Sequence, residues 1–498
     1  MLFEGFKIAL SLQNLLAAVF GAFCGIIVGA LPGLGSVTGV ALLLPLTFKF
    51  NPTTAIIMLC ALYFGNMFGG AFSAILMNIP GDSPAIMTAL DGYQLTKQGK
   101  ASKALATANA ASFIGGAIGI VILTFLGPAL AKVGLKFGPA EMVSLLLFAL
   151  TSIGWLLGED MKKGLVATCI GVLLALVGQD PTRGSLRFTF GITELIGGIA
   201  FVPLVIGMFG FSQVITLMRE RYQFKLEEGT KLSIRSTLLT GKEIKYILPE
   251  AVRGGTLGTF VGVLPGAGAT IASFLSYMLN KRISKDGENF GKGSVKAVAS
   301  AEAANNGGAA GAFAPLLSLG IPGSGTAALL LGGLLMWGLN PGPRLFVEAP
   351  DFTWGLIGSM YFSNVIAIIL ALLLIPIVVR LIELPVSVLI PTIMTLCVVG
   401  SYAVNNSLFD VGVMLVAGIL GYLIQAKGYS LAPLLLAFVL TPQLEKSFVQ
   451  ALQISHGSFS IFFTKPISLT FLLLIAISFA APAVVKKIKG NRQALQRS

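Results

Sequence analysis

The sequence predicts an all-α polytopic membrane protein made of two inverted structural repeats, with about a dozen membrane segments, some re-entrant or broken. Three observations carry that reading. The composition is too apolar for a soluble globule, apolar runs of spanning length recur along the whole chain, and a pair of Pro-Gly motifs occurs twice in the same order.

Of 498 residues, 55% are hydrophobic and only 11% charged, against roughly 25% charged in an average soluble domain. So few charges cannot cover the surface of a globule this large. Runs of about 20 apolar residues match the thickness of a bilayer core. They fall at 15–30, 54–79, 104–130, 141–157, 164–178, 194–217, 297–319, 352–378, 408–425 and 467–485, with shorter runs between them. The N-terminus does not read as a cleaved signal. Glu4 and Lys7 leave no basic lead segment, and no small-residue cleavage site follows the first run. Bulky Phe23 before Cys24 argues against a lipid-anchored cysteine. Cys24, Cys60, Cys169 and Cys397 lie in or beside apolar runs without metal-ligand spacing, so they are expected as packed small hydrophobes without a disulfide.

The formal charge of +13 would suggest nucleic acid in a soluble protein. Here the basic residues concentrate in Arg219–Lys245, Lys281–Lys296, Lys97–Lys103 and the tail Lys486–Arg497, with no interleaved aromatic platforms. Such clusters mark cytoplasmic loops at a lipid bilayer, not a nucleic-acid surface.

The repeat is visible in the letters. Residues 25–39 read GIIVGALPGLGSVTG and 258–272 read GTFVGVLPGAGATIA; residues 71–83 read AFSAILMNIPGDS and 312–325 read AFAPLLSLGIPGSG. Leu-Pro-Gly precedes Ile-Pro-Gly in both halves. The expected division is a first membrane repeat over 1–218, a cytoplasmic linker over 219–245, a second repeat over 246–485 and a basic cytoplasmic tail over 486–498. If both basic loops flanking residues 246–280 are cytoplasmic, the stretch between them must leave and return. It is too short for two crossings and a turn, which need more than about 40 apolar residues. A re-entrant hairpin with its Pro-Gly tip inside the membrane is expected there, and its equivalent over 15–48. Charge placement predicts inversion. In the second half the basic loop lies between the two motifs, whereas in the first half Lys97, Lys100 and Lys103 follow the second motif.

A Pro-Gly break inside an apolar run frees backbone groups, which is tolerated at membrane depth only against protein or a water-filled cavity. Half-helix N-termini present N–H groups and a positive dipole end that suit a carboxylate, and freed carbonyls suit Na⁺. The expected substrate contacts are therefore Pro32, Gly33, Gly35, Ser36, Gly81, Asp82 and Ser83 in the first half. In the second they are Pro265, Gly266, Gly268, Thr270, Gly323, Ser324 and Gly325. Thr38, Asn66, Asn305, Asn306 and Thr326 are the expected ion ligands, with Ser273 a further hydroxyl, since polar groups inside membrane segments are costly and hence functional suspects. The competing readings are interhelical hydrogen bonding for the asparagines and glycine-mediated packing for the breaks. Glu302 is weighed as a site residue against a place near the surface beside Lys296. No Lys or Arg lies within any of the four motifs, so an anion would meet backbone N–H groups and hydroxyls. A methyl group at Gly33, Gly81, Gly266 or Gly323 is expected to block that approach while leaving the rest of the protein largely intact.

Enzymatic readings fail. Gly287–Lys292 is one residue short of a phosphate-binding loop and is followed by Gly293 instead of Ser or Thr. His456, the only histidine, sits in a loop-like Ser-His-Gly-Ser without a serine motif tied to it. Pro80-Gly81-Asp82 lacks the first glycine of an intramembrane aspartyl motif.

At Gly29-Ala-Leu-Pro-Gly-Leu-Gly35, Gly262-Val-Leu-Pro-Gly-Ala-Gly268 and Ala299–Gly308 leading to Gly320-Ile-Pro-Gly-Ser-Gly325, the chain resembles the large membrane subunit of the tripartite tricarboxylate transporters. The resemblance extends over nearly the whole chain. It implies a multi-pass permease of the bacterial inner membrane that works with a small four-helix membrane subunit and a periplasmic solute-binding protein. It also implies uptake of an organic carboxylate coupled to Na⁺ or H⁺, without a cofactor. A channel or an ATP-driven permease domain is the competing class. Collapse of the ion gradient would leave ATP-driven uptake running.

Overall fold

The computed structural model describes residues 1–156, 161–180, 184–219, 232, 235–266, 268–382 and 384–478. The expected basic tail therefore lies outside the described residues, as does most of the linker. The described chain is almost wholly helical. Helices α1 (Leu2–Ala9), α2 (Leu12–Ala30), α3 (Gly35–Thr47) and α4 (Pro52–Met77) lead through a short 3₁₀ turn, Ser83–Ala85, to α5 (Ile86–Lys97) and α6 (Ala101–Gly134). Next come α7 (Pro139–Leu156) and α8 (Met161–Ala175). A two-stranded antiparallel ladder follows, pairing Gly178 with Arg187. Helix α9 (Phe201–Val205) passes through a π-helical stretch, Ile206–Phe211, into α10 (Ser212–Arg219). The second half holds α11 (Gly241–Gly262), α12 (Gly268–Ile283), α13 (Val295–Gly311), α14 (Phe313–Leu319), α15 (Gly325–Met336), α16 (Leu345–Glu348) and α17 (Pro350–Leu373). It continues with α18 (Ile375–Ile382), α19 (Val386–Asn405), α20 (Leu408–Ala426), α21 (Ala432–Ile454), α22 (Ile461–Thr464) and α23 (Pro466–Ser478).

Among the described residues, 7 helices are long and apolar enough to cross a membrane: α2, α4, α6, the continuous Phe201–Arg219, α17, α19 and α20. Four shorter apolar helices, Gly35–Thr47, Pro139–Ser152, Gly325–Met336 and Pro466–Ser478, add to them. This is a multi-pass membrane protein. Some expected runs are broken for local reasons. The run 297–319 divides at Ala312, because Pro315 cannot donate to the carbonyl of Gly311. The run 352–378 divides after Leu373, where Pro376 has the same effect. Helix α11 starts at Gly241, inside the segment read as linker, with Thr240 and Glu243 forming a reciprocal capping box.

Packing divides the chain into two units, each drawing on both sequence halves. One holds Met1–Lys132 and Ile199–Leu431; the other holds Val133–Gly198 and the chain from Ala432 onward. In the second unit, Ala140 and Val143 of α7 pack with Ala451 of α21 and Phe462 of α22, where Phe448 stacks on Phe462. Arg187 there grips Glu445 through two hydrogen bonds of 2.7 and 3.1 Å, the bidentate geometry that favours arginine over lysine.

The first unit contains the repeat. Helix α2 lies along α4 as α11 lies along α13. The reason is a glycine at every fourth position. Gly21, Gly25 and Gly29 face the α4 backbone at Met58, Leu62 and Asn66, while Gly254, Gly258 and Gly262 face the α13 backbone at Ser300, Ala304 and Gly308. Without side chains between them the helices close to backbone contact, the packing by small residues that substitutes for a hydrophobic driving force in lipid. Helix α4 is buried through its apolar span, and α13 is buried from Ala297 to Gly311. These two helices form the centre of the unit. Around them Phe68, Phe72 and Ile75 of α4 cluster with Leu105 of α6, Val298 of α13 and Ile375 of α18.

A Cβ added at Gly258 would lie 2.4 Å from the Ala304 carbonyl oxygen. Gly258→Ala should therefore destabilise the protein by about 1–3 kcal/mol, the usual cost of overpacking, seen as a lower unfolding temperature of the purified protein in detergent. Gly99→Ala, where a Cβ meets nothing within 4 Å, reports backbone strain alone and serves as the comparison.

Candidate carboxylate site at the helix breaks

Each half carries two broken-helix tips, and all four lie in the first unit. The Leu-Pro-Gly tips break because Gly33 and Gly35 sit at φ +81° and +61°, and Gly266 and Gly268 at +76° and +55°, angles that an L side chain rarely adopts. The Ile-Pro-Gly tips break after a left-handed residue that ends the preceding helix, Asn78 at φ 58° on α4 and Gly320 at φ 71° on α14.

The first-half tips are joined to each other. The Gly35 N–H donates to the Gly81 carbonyl at 3.1 Å. Asp82 accepts from the Ser36 N–H through Oδ2 and from the Ser83 N–H through Oδ1, both at 2.8 Å. One carboxylate thus caps the start of α3 and the start of the Ser83–Ala85 turn together, which is the charge that helix N-termini favour. The second half lacks this carboxylate. At the matching position after Ile-Pro-Gly stands Ser324, whose hydroxyl accepts from the Ala327 N–H at 3.1 Å. A neutral hydroxyl caps α15 where a carboxylate caps its counterpart.

The halves meet at these tips. Ser36 Oγ and Thr326 Oγ1 are 2.8 Å apart, and the Tyr63 hydroxyl on α4 lies 3.3 Å from Ser324 Oγ. A Cβ at Gly268 would stand 3.3 Å from the Ser324 Cβ, so the second Leu-Pro-Gly tip adjoins as well. The structure therefore brings together Gly35, Ser36, Gly81, Asp82, Ser83, Gly268, Ser324 and Thr326. Pro32 and Gly33 lie on the same first-half tip, Pro265, Gly266 and Thr270 flank Gly268, and Gly323 and Gly325 flank Ser324.

The expected ion ligands are more scattered. Thr38 Oγ1 donates to the Phe209 carbonyl at 3.4 Å. Asn66 is fully buried with neither side-chain atom hydrogen-bonded. Asn305 and Asn306 lie on α13, where the Asn306 amide donates to the Glu302 carbonyl at 3.2 Å. Ser273 is buried on α12. Glu302 does not lie beside Lys296. It is 0% exposed and binds Thr88 and Ser112, whereas Lys296 pairs with Asp286 at 2.7 Å.

Two expectations about glycines change. A Cβ at Gly81 would fall 1.7 Å from the Gly29 carbonyl oxygen, and one at Gly323 2.5 Å from that of Gly262. The two tips are pressed against the backbones of α2 and α11, so a methyl group there disturbs packing before it meets any substrate. Sequence reading also passed over Tyr63 and Gln213. Gln213 reaches the first tip, its Nε2 standing 2.5 Å from where a Gly33 Cβ would be. Both are polar residues inside long apolar runs, a signal that was available.

The family model of the tripartite tricarboxylate transporter TctA family matches residues 15–436. The chain is 40% identical over 488 residues to an Agrobacterium vitis protein described as "Uncharacterized 52.8 kDa protein in TAR-I ttuC' 3'region", covering 98% of this chain and 96% of the relative. A second Agrobacterium vitis sequence, "Uncharacterized protein in TAR-II ttuC' 3'region", is 41% identical over 235 residues, 47% of this chain and 97% of the relative. No solved structure matches.

Removing either hydroxyl of the Ser36–Thr326 pair should cost about 1 kcal/mol. If the pair is a direct bond, Ser36→Ala and Thr326→Val should be non-additive by about 0.5 kcal/mol or more, measured as a double-mutant cycle on thermal unfolding. Strict additivity would mean that the halves are not linked through these hydroxyls.

Proposed function

Since the chain belongs to the tripartite tricarboxylate transporter TctA family and is a subunit of such a transporter, we propose that it is the permease that carries an organic di- or tricarboxylate across the bacterial inner membrane by Na⁺ or H⁺ symport. It would receive substrate from a periplasmic solute-binding protein and work beside a small four-helix membrane subunit. The observation that supports the site is the asymmetry at the tips. Two half-helix starts of the first half already hold the Asp82 carboxylate. The equivalent second-half position offers Ser324, with Tyr63 and Thr326 hydroxyls nearby. A substrate carboxylate there would play toward α12 and α15 the part that Asp82 plays toward α3 and the Ser83–Ala85 turn, met by N–H groups, dipoles and hydroxyls.

Uptake is tested in proteoliposomes holding all three components, with C4 dicarboxylates and C6 tricarboxylates offered under an imposed Na⁺ or H⁺ gradient. Uptake that ignores both gradients would end the symport reading. Ser324→Ala should weaken half-saturation several-fold, matching the loss of about one hydrogen bond. Ser324→Asp should abolish uptake by placing a fixed anion where the substrate anion belongs, while the near-isosteric Ser324→Asn retains part of it. Equal uptake by the Asp and Asn variants would move the site elsewhere.

The basic loop at Lys281–Lys296 favours a cytoplasmic place for the end of α12, and the lysines after α5 favour the same side for that loop, which would make the halves inverted. A cysteine replacing Lys285 should then resist a membrane-impermeant thiol reagent in intact cells and react in inverted vesicles.

A further inference from the structure

Two carboxylates are fully buried where the first-half helices α5 and α6 cross the second half, and their surroundings differ in kind. Asp91 on α5 accepts from the N–H groups of Gly291, Gly293 and Ser294 and from the Tyr277 hydroxyl, at 2.7–3.0 Å. Backbone N–H groups only donate, and three of them converge on this carboxylate. Among the described residues, Glu302 on α13 meets no backbone N–H cradle and no basic side chain. Its Oε1 accepts from Thr88 Oγ1 at 2.5 Å, its Oε2 accepts from Ser112 Oγ at 2.9 Å, and the Asn305 side chain is a further partner. Hydroxyls can reverse and accept. The carbonyl oxygen of Asn305, on a side chain that already bonds Glu302, is buried with no hydrogen-bond partner. The cage thus holds an unused acceptor for a proton that Glu302 would carry.

Among the described residues, no cation on the helices around Glu302 pairs with it. Lys103 of α6 pairs with Glu243, Arg253 of α11 with Glu250 and Lys296 of α13 with Asp286, while Lys97 of α5 lies exposed over Tyr93 and Lys281 and Arg282 end α12 at the exposed surface. None supplies Glu302 with a counter-charge, and an isolated charge buried in this way is expensive.

We propose that Glu302 binds and releases the coupling proton during transport, an inference that rests on the reading of the chain as a gradient-driven carrier. The carboxylate takes H⁺ from water on one side, its O–H then donates to Asn305 Oδ1 or to a reversed hydroxyl, and the proton leaves to water on the other side with no other bond made or broken. Thr88 lies on the first turn of α5, directly after the turn that Asp82 caps. Neutralising Glu302 releases the charge that draws Thr88 and Ser112 toward α13, so the proton state bears on the first-half tip next to the substrate.

Infrared difference spectroscopy of the full chain in lipid tests the protonation without reference to transport. Acidification should raise a carbonyl band of a protonated carboxylic acid that Glu302→Gln lacks; an identical band in both proteins overturns the proposal. Uptake in Na⁺-free proteoliposomes with a trapped pH dye tests the coupling in the unaltered protein. Carboxylate entry should acidify the lumen; accumulation that appears only when a Na⁺ gradient is added, with no proton movement, overturns it. Glu302→Gln should lose accumulation driven by a pH gradient down to the level of protein-free vesicles while still exchanging labelled for unlabelled substrate. Glu302→Asp, which keeps a titratable group, should recover part of the accumulation. If the unaltered protein moves no carboxylate at all, the carrier reading fails separately, and the infrared result still decides whether Glu302 takes up a proton.

Discussion

The structure turns on the close backbone contact between α2 and α4 in the first half and between α11 and α13 in the second. A helix that breaks inside a membrane exposes backbone groups that lipid cannot satisfy, so the break must be covered by protein or face a polar cavity. Gly29 and Gly262 provide the cover. Each ends a stripe of glycines that lets α2 settle on α4 and α11 on α13, and each presents its carbonyl to the Ile-Pro-Gly tip of its own half at Gly81 or Gly323. A side chain anywhere along either stripe would lift the helix away and uncover the tip. The glycine stripes thus hold the unwound segments deep in the protein as well as packing helices.

This is also why the repeat was legible and why part of the site was not. Leu-Pro-Gly and Ile-Pro-Gly are short and bound to a backbone geometry, and the geometry recurs in the positive φ of Gly33, Gly35, Gly266 and Gly268. Apolar runs located most membrane helices, with their ends misplaced where Pro315 and Pro376 interrupt them. Which polar residues meet across the halves could not be read, because Ser36 and Thr326 are far apart in the chain and their pairing depends on how two repeats dock. Glu302 shows the same limit. Its nearest basic residue in sequence is Lys296, yet that lysine reaches Asp286, and the carboxylate faces hydroxyls supplied by the other half.

The segment Gly287–Lys292 resembles a phosphate-binding loop in letters and lacks its closing residues, and the structure explains both facts. Gly291 and Gly293 take φ +91° and +99° and turn their N–H groups inward, as a nest for an anion requires. The anion is Asp91 of the same chain. A sequence that looks half-built for an external phosphate is complete for an internal carboxylate, and the result is a tie between α5 and the loop before α13.

Asp82 follows the same logic, an anion of the chain's own held by two helix-start N–H groups. Duplication supplies two copies of a scaffold whose helix starts attract a carboxylate. A carrier in which both copies were filled from within would have no use for an external anion, and one in which neither was filled would have four helix starts to stabilise without help. One half carries Asp82 and the other Ser324 at the same place. The filled copy gives a fixed, fully capped tip against which the other can be positioned through Ser36 and Thr326. The hydroxyl copy leaves a neutral tip beside Tyr63, joined through Thr326 and Ser36 to the tip that Asp82 caps. A single exchange of carboxylate for hydroxyl therefore leaves one tip capped by a charge of its own chain and the other by a neutral hydroxyl.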